Sequence, residues 1–256
     1  MVHNPAALVC QSAAWGYTEP MQAGISSGGP LARAVAWAVH FYTASGAVLG
    51  FLALQAAFAG DHRTCFIMLA AALAVDSTDG TLARAANVKH VLPWFDGAML
   101  DNLVDYLNYV IVPVAVFMQP GMLPDEFRLV PLVVLMASAY GFSRADAKGV
   151  VEHYFLGFPS YWNIIAFYFV VLGTAPMMNL LVLVTALVLV FVPLRWLYPS
   201  RSEIFRRRTL GLGAVWAAMA LVLVLRLPEV QPLLGTVSLF YPLYYIAVSL
   251  VYHRQG

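Results

Sequence analysis

Charge is what this sequence is short of. Only 11% of its 256 residues are Asp, Glu, Lys or Arg, while 61% are hydrophobic, and the mean hydropathy is +0.76. A water-soluble domain of this length needs far more charge to cover its surface, so that class is excluded. An excess of one sign is missing too. The formal net charge is +1, which gives no field to gather polyanions, and no nucleic-acid partner is expected. Cysteine is nearly absent: Cys10 and Cys65 cannot build a disulfide framework. No compact group of His and Cys offers zinc its usual ligands. No strand-like alternation and no internal repeat is visible. The first thirty residues lack the basic start, short apolar run and cleavage site of a signal peptide. They are rich in Gly, Ser, Ala and Pro, and Gly28-Gly29-Pro30 closes them. They read as a weakly ordered lead-in, 1–30, to one membrane domain over 31–256.

What the chain has instead is long apolar runs. A membrane helix needs ~20 mostly apolar residues. Eight segments qualify or nearly do: 33–59, 64–86, 97–118, 127–146, 160–174, 177–197, 208–227 and 231–252. The fifth is short and meets the sixth through the tight apolar turn Gly173-Thr174-Ala175-Pro176. Pro113, Pro131, Pro193 and Pro242 predict kinks that neighbouring helices can tolerate. The expected fold is an all-α integral membrane bundle of about eight transmembrane helices.

The few basic residues are unevenly shared. With eight spans, Arg33, Arg84, Lys89, Arg144, Lys148, Arg195, Arg201, Arg206, Arg207, Arg208 and Arg254 fall on one side, and Arg63, Arg128 and Arg226 on the other. These account for all 14. The basic side faces the cytoplasm by the insertion rule, which predicts that both termini are cytoplasmic.

Five of the 13 acids sit within thirty residues: Asp76, Asp79, Asp96, Asp101 and Asp105. Asp76 and Asp79 are three apart, and Asp101 and Asp105 four apart, so each pair shares a helix face. Two helices presenting these faces to each other would gather four carboxylates. Such a group repels itself and resists leaving water. Arg84 offsets part of that charge, and hard divalent cations such as Mg²⁺ or Mn²⁺ suit the rest, because they prefer oxygen ligands. Two ions side by side can hold a diphosphate and activate a hydroxyl. The small residues Gly80, Ala83 and Gly97 leave room for a nucleotide or another backbone. Paired intramembrane acids also serve ion-coupled transporters, but there the site is expected nearer the midplane, at broken helices. Here both pairs lie near the cytoplasmic ends of their spans.

The pattern Asp76-x-x-Asp79-Gly80-x-x-Ala83-Arg84, then Gly97-x-x-x-Asp101-x-x-x-Asp105, resembles the signature of the CDP-alcohol phosphatidyltransferases. Twelve residues, Ala85 to Asp96, separate its halves. That is longer than in most of the family and similar to the bacterial phosphatidylcholine synthases, as is the stretch Phe155 to Asn163. The resemblance implies transfer of a phosphatidyl group from CDP-diacylglycerol to choline, giving phosphatidylcholine and CMP. It implies that Asp76, Asp79 and Asp101 are metal ligands, with Asp105 at a second Mn²⁺ or Mg²⁺ and also the general base. Gly80, Ala83, Arg84 and Gly97 would border the CDP moiety. It further implies a multi-pass protein of the bacterial inner membrane, surrounded by membrane lipids, its site facing the cytoplasm, with a homodimer as a family-level expectation. Glycerol phosphate, inositol phosphate and serine are alternative acceptors.

Choline carries a quaternary ammonium, which aromatic faces and a nearby anion hold best. Tyr154, Tyr161 and Trp162 are candidate rings, beside Phe155 and Phe158, with Asp146 and Glu152 as candidate anions. The same rings also suit an aromatic belt at the membrane interface. Arg206-Arg207-Arg208 reads as an orientation signal or a lure for anionic headgroups. His40 reads as a satisfied packing residue, and Thr43 and Ser45 as hydroxyls bonded back to helix carbonyls.

Overall fold

A computed structural model describes residues 28–144, 154–197, 206–229 and 231–255. The lead-in up to residue 27 lies outside them, as do Asp146, Lys148, Glu152 and Arg201. The helices are α1 (Pro30–Phe58), α2 (His62–Ala85), the single turn α3 (Val88–Val91), α4 (Gly97–Tyr106), α5 (Val112–Phe117), α6 (Pro131–Ser143), α7 (Trp162–Leu172), α8 (Pro176–Phe191), α9 (Arg206–Arg226), α10 (Pro232–Ser238) and α11 (Phe240–Gln255). The chain is an all-α membrane protein in the expected sense. Gly97–Phe117 and Pro232–Val251 each run on as one span, and six stretches are long and apolar enough to cross a bilayer; α7 and α8 are shorter apolar helices.

The architecture departs from the expected one in two places. A pair of three-residue antiparallel strands, β1 (Tyr154–Leu156) and β2 (Arg195–Leu197), joins the segments before α7 and after α8, with Phe155 opposite Trp196. Strands this short carry no readable alternation. Secondly, Pro113 produces a wide turn rather than a simple kink. Leu107–Ile111 is π-helical, and the Val112 amide reaches back to the Leu107 carbonyl. Pro113 has no N–H for the Tyr109 carbonyl, and its ring crowds that carbonyl, so the helix widens just upstream.

A core of small, aliphatic and aromatic residues runs through α1, α2, α5, α6, α7, α8 and α9. Outside it, large apolar side chains such as Phe41, Phe58 and Met136 stand exposed, as lipid-facing residues must. In α1 the buried stripe is Ala36, Val39, His40, Thr43, Gly46, Gly50, Ala53, Ala56 and Ala57, mostly small side chains at three- and four-residue intervals. This face lets α4 come close. A Cβ on Gly46 would lie 2.7 Å from Val104 Cγ1, and one on Gly50 would collide with Asn108 Oδ1. Asn108 Nδ2 donates to the Gly46 carbonyl at 3.2 Å. At the far end, Asp61 caps α2 by accepting from the Thr64 amide at 3.0 Å. Its bonds to the Thr64 side chain and backbone hold the Asp61 carboxyl below its ordinary range.

Gly50→Ala therefore forces a methyl into a filled site, and overpacking of this kind costs ~1–3 kcal/mol. Gly141 has nothing within 4 Å of an added Cβ, so Gly141→Ala should be neutral or stabilising by up to ~1 kcal/mol. Thermal unfolding in detergent separates the two. Equal Tm values for both variants would contradict the packing of α1 on the π-turn that follows α4.

Candidate metal centre

Asp76, in the C-terminal half of α2, meets Asp101 and Asp105 of α4. Asp76 of α2 and Asp101 and Asp105 of α4 each offer one carboxylate oxygen, and these oxygens all lie within 4.8 Å of one another. All three residues are half-buried. At that spacing a pair of full charges repels by about 3 kcal/mol at an effective dielectric of ~20. The donor set fits a hard divalent cation. It is all oxygen and comes from two helices, the ligand chemistry such an ion prefers.

The structure brings three of the four expected ligands together. Asp79 lies one turn further along α2, 7% exposed and outside the 4.8 Å set. Asp96 belongs to the helix rather than the site: its Oδ1 accepts from the Ala98 and Met99 amides at 3.0 Å each and caps α4. Such a cap satisfies amides that a helix start leaves open.

The residues expected around CDP separate into two kinds. Gly80 is exposed, and an added Cβ would meet only Arg84 Nη1, at 3.4 Å. Arg84 is exposed and folds back along its own helix, Nη2 donating to Thr81 Oγ1 at 3.0 Å. These two border open space. Ala83 instead leans on the cluster of Val88, Val91 and Leu92 around α3. Gly97 makes room for a side chain of the protein itself, since its Cβ would lie 2.8 Å from His40 Cε1.

His40 also departs from expectation. It packs, with its ring 4.3 Å from Phe95 and 5.9 Å from Trp37 between centroids. Its buried Nε2, however, has no hydrogen-bond partner among the described residues. Thr43 and Ser45 do bond back, to the carbonyls of Val39 and Tyr42.

The three candidate choline rings have different surroundings. Trp162 is a core residue, wholly buried, with Nε1 donating to Ser138 Oγ at 2.8 Å and Phe158 packed 5.0 Å away. An enclosed indole offers no face to a substrate, so Trp162 is withdrawn from that role. Tyr154 already lies under a cation: Arg195 Cζ is 5.1 Å from its ring centroid. Tyr161 is half-buried, edge-on to Tyr245 at 5.8 Å, and within electrostatic reach of Tyr109.

Tyr109 is the neighbour that pattern reading overlooked. Its hydroxyl donates to Asp76 Oδ2 at 2.8 Å. The available signal was spacing, because Tyr109 follows Asp105 by the same four residues that separate Asp105 from Asp101.

No family model matches the chain. Curated relatives do, over most of their length. The phosphatidylcholine synthase of Legionella pneumophila is 39% identical over 223 residues, covering 84% of this chain and 87% of the relative. That of Pseudomonas aeruginosa is 36% identical over 222 residues, covering 86% and 93%. That of Rhizobium meliloti is 33% identical over 225 residues, covering 86% and 92%. With identity at this level along nearly whole chains, and with the acidic motif folded into one cluster, the chain belongs to the phosphatidylcholine synthase family.

Proposed function

We propose that this protein makes phosphatidylcholine by transferring the phosphatidyl group of CDP-diacylglycerol to choline, with release of CMP. The observation that carries the reading is the triad Asp76, Asp101 and Asp105 in a chain of this family. Mg²⁺ or Mn²⁺ held there, with Asp79 close by, would neutralise phosphate charge and make the acceptor hydroxyl more acidic.

The chain's own residues supply the rest. Asp105 takes the proton of the choline hydroxyl as its oxygen bonds to the lipid-bearing phosphorus. The bond from that phosphorus to the CMP oxygen breaks, and CMP leaves with the electron pair. Arg84, beside the open surface at Gly80, suits a phosphate oxygen of the nucleotide. Tyr161 supplies a ring face for the trimethylammonium group, which cannot donate a hydrogen bond.

The surrounding membrane sets the orientation. The eleven-to-three split of Lys and Arg expected between the two sides supports placing the Arg84/Lys89 end and both termini in the cytoplasm of a bacterial inner membrane. Choline and CMP then exchange with water while acyl chains stay in lipid.

Three measurements test these statements. Purified protein in detergent, given CDP-diacylglycerol and a panel of choline, serine, glycerol phosphate and inositol phosphate, should release CMP with choline alone. EDTA should abolish release, and Mg²⁺ or Mn²⁺ should restore it. Release with another alcohol and none with choline would overturn the acceptor assignment.

Among the rings, losing a cation–π partner worth ~0.5–2 kcal/mol should raise the choline KM by ~2- to 30-fold in Tyr161→Ala. Tyr154→Ala should leave that KM alone, and Trp162→Ala should cost ~3–5 kcal/mol of stability through its cavity. An unchanged choline KM in folded Tyr161→Ala moves the choline site elsewhere.

For topology, in a background lacking Cys10 and Cys65, a cysteine at Lys89 should react only from the cytoplasmic side. One at Asp125 should react only from outside. Labelling of both from one side breaks the proposed orientation.

A further inference from the structure

We propose that Tyr109 is a positioning residue for the metal centre: its hydroxyl fixes the Asp76 carboxylate, and the π-turn seated on α1 by Asn108 carries it there. This rests on the metal-assisted reading above and assigns Tyr109 no step in the reaction.

The argument starts from helix geometry. In an uninterrupted α-helix each residue turns about 100°, so Tyr109 would sit roughly 80° round from Asp101, and Asn108 roughly 20° to the other side. Asn108 would then share the acidic face more closely than Tyr109 does. A π-turn, with its i→i+5 bonds, underwinds the helix. Both side chains rotate in the same direction, Tyr109 onto the acidic face and Asn108 off it.

The observed contacts agree with that rotation. Tyr109 reaches across to α2 and donates to Asp76 Oδ2 at 2.8 Å. Asn108 points to α1 instead, donates to the Gly46 carbonyl at 3.2 Å, and is 5% exposed. Its Oδ1 packs so closely on Gly50 that no Cβ fits there. The wide turn is therefore clamped on one side by α1 and tied on the other to a carboxylate of the triad. Pro113 keeps the turn open from below.

The chemical consequence is selective. With Oδ2 engaged by the tyrosine, Asp76 presents its other oxygen in a fixed direction. Partners that hold ligands in this way are commonly worth 10- to 100-fold in metal affinity. A tyrosine that merely fills space would act through its ring, and phenylalanine would replace it without loss.

The test is Mn²⁺ binding by full-length protein in detergent, followed by electron paramagnetic resonance without any substrate, together with Tm in EDTA and in Mn²⁺. For Tyr109→Phe the expected result is an Mn²⁺ Kd raised roughly 10- to 100-fold, a Tm in EDTA close to that of the unsubstituted protein, and a smaller rise in Tm on adding Mn²⁺. An unchanged Kd overturns the proposal, whatever happens to Tm. So does a Tm lowered equally in EDTA and in Mn²⁺, because that is the mark of packing alone. Unsubstituted protein that takes up no Mn²⁺ overturns both this inference and the metal reading beneath it. Unsubstituted protein that binds Mn²⁺ but consumes no choline leaves this inference standing and removes only the acceptor.

Discussion

The structure is organised around holding like charges together in a medium that resists them. Three carboxylates meet on two helices of a chain that is 61% hydrophobic. Left to themselves, helices bearing such faces would turn them apart and toward water. Their approach is enforced from behind. The small-residue stripe of α1 accepts α4 at Gly46 and the π-turn at Gly50, and its Tyr42 hydroxyl meets Thr78 of α2 at 2.8 Å. Small residues at helix contacts supply van der Waals contact where lipid gives no hydrophobic drive. The acidic site thus depends on a face that carries no acid.

Placement at the ends of the spans follows from the same constraint. In the proposed reaction, ions, nucleotide and a small alcohol would come from water, while acyl chains would not. Carboxylates near a helix end need only partial burial, and all three are half-buried. A site deeper in the bundle would pay more in desolvation for each charge and would lie further from its soluble reactants.

The sequence made the spans and the acidic pairs legible because both rest on strong periodic signals. Runs of apolar residues mark helices, and spacings of three and four mark a shared face. What it hid came from local geometry that periodicity does not encode. Tyr109 reaches Asp76 from within a π-turn, which the four-residue spacing from Asp105 does not announce, and Pro113 read as a kink without revealing which residues would turn. Asp79 matches the motif as well as Asp76 does, yet the register of α2 against α4 leaves it outside the triad. Trp162 sat in a run of aromatics, and composition does not separate a ring lining a pocket from one sealed in the core. Gly97 looked like space for a ligand, but the space belongs to His40, which is 57 residues away in sequence.

The shortness of α7 has a consequence for the backbone around it. Its 11 residues rise about 16 Å, roughly half of a hydrocarbon core ~30 Å thick. Chain that leaves a helix this short among apolar neighbours still carries amides and carbonyls that require partners. The two short strands meet part of that requirement. Gly157 N donates to Leu194 O at 2.9 Å, and Phe158 N to Leu189 O at 3.0 Å, just beyond the three paired positions. A ladder too small to count as a sheet by ordinary standards thereby spares the peptide chain from leaving those groups unpaired where it turns between helices.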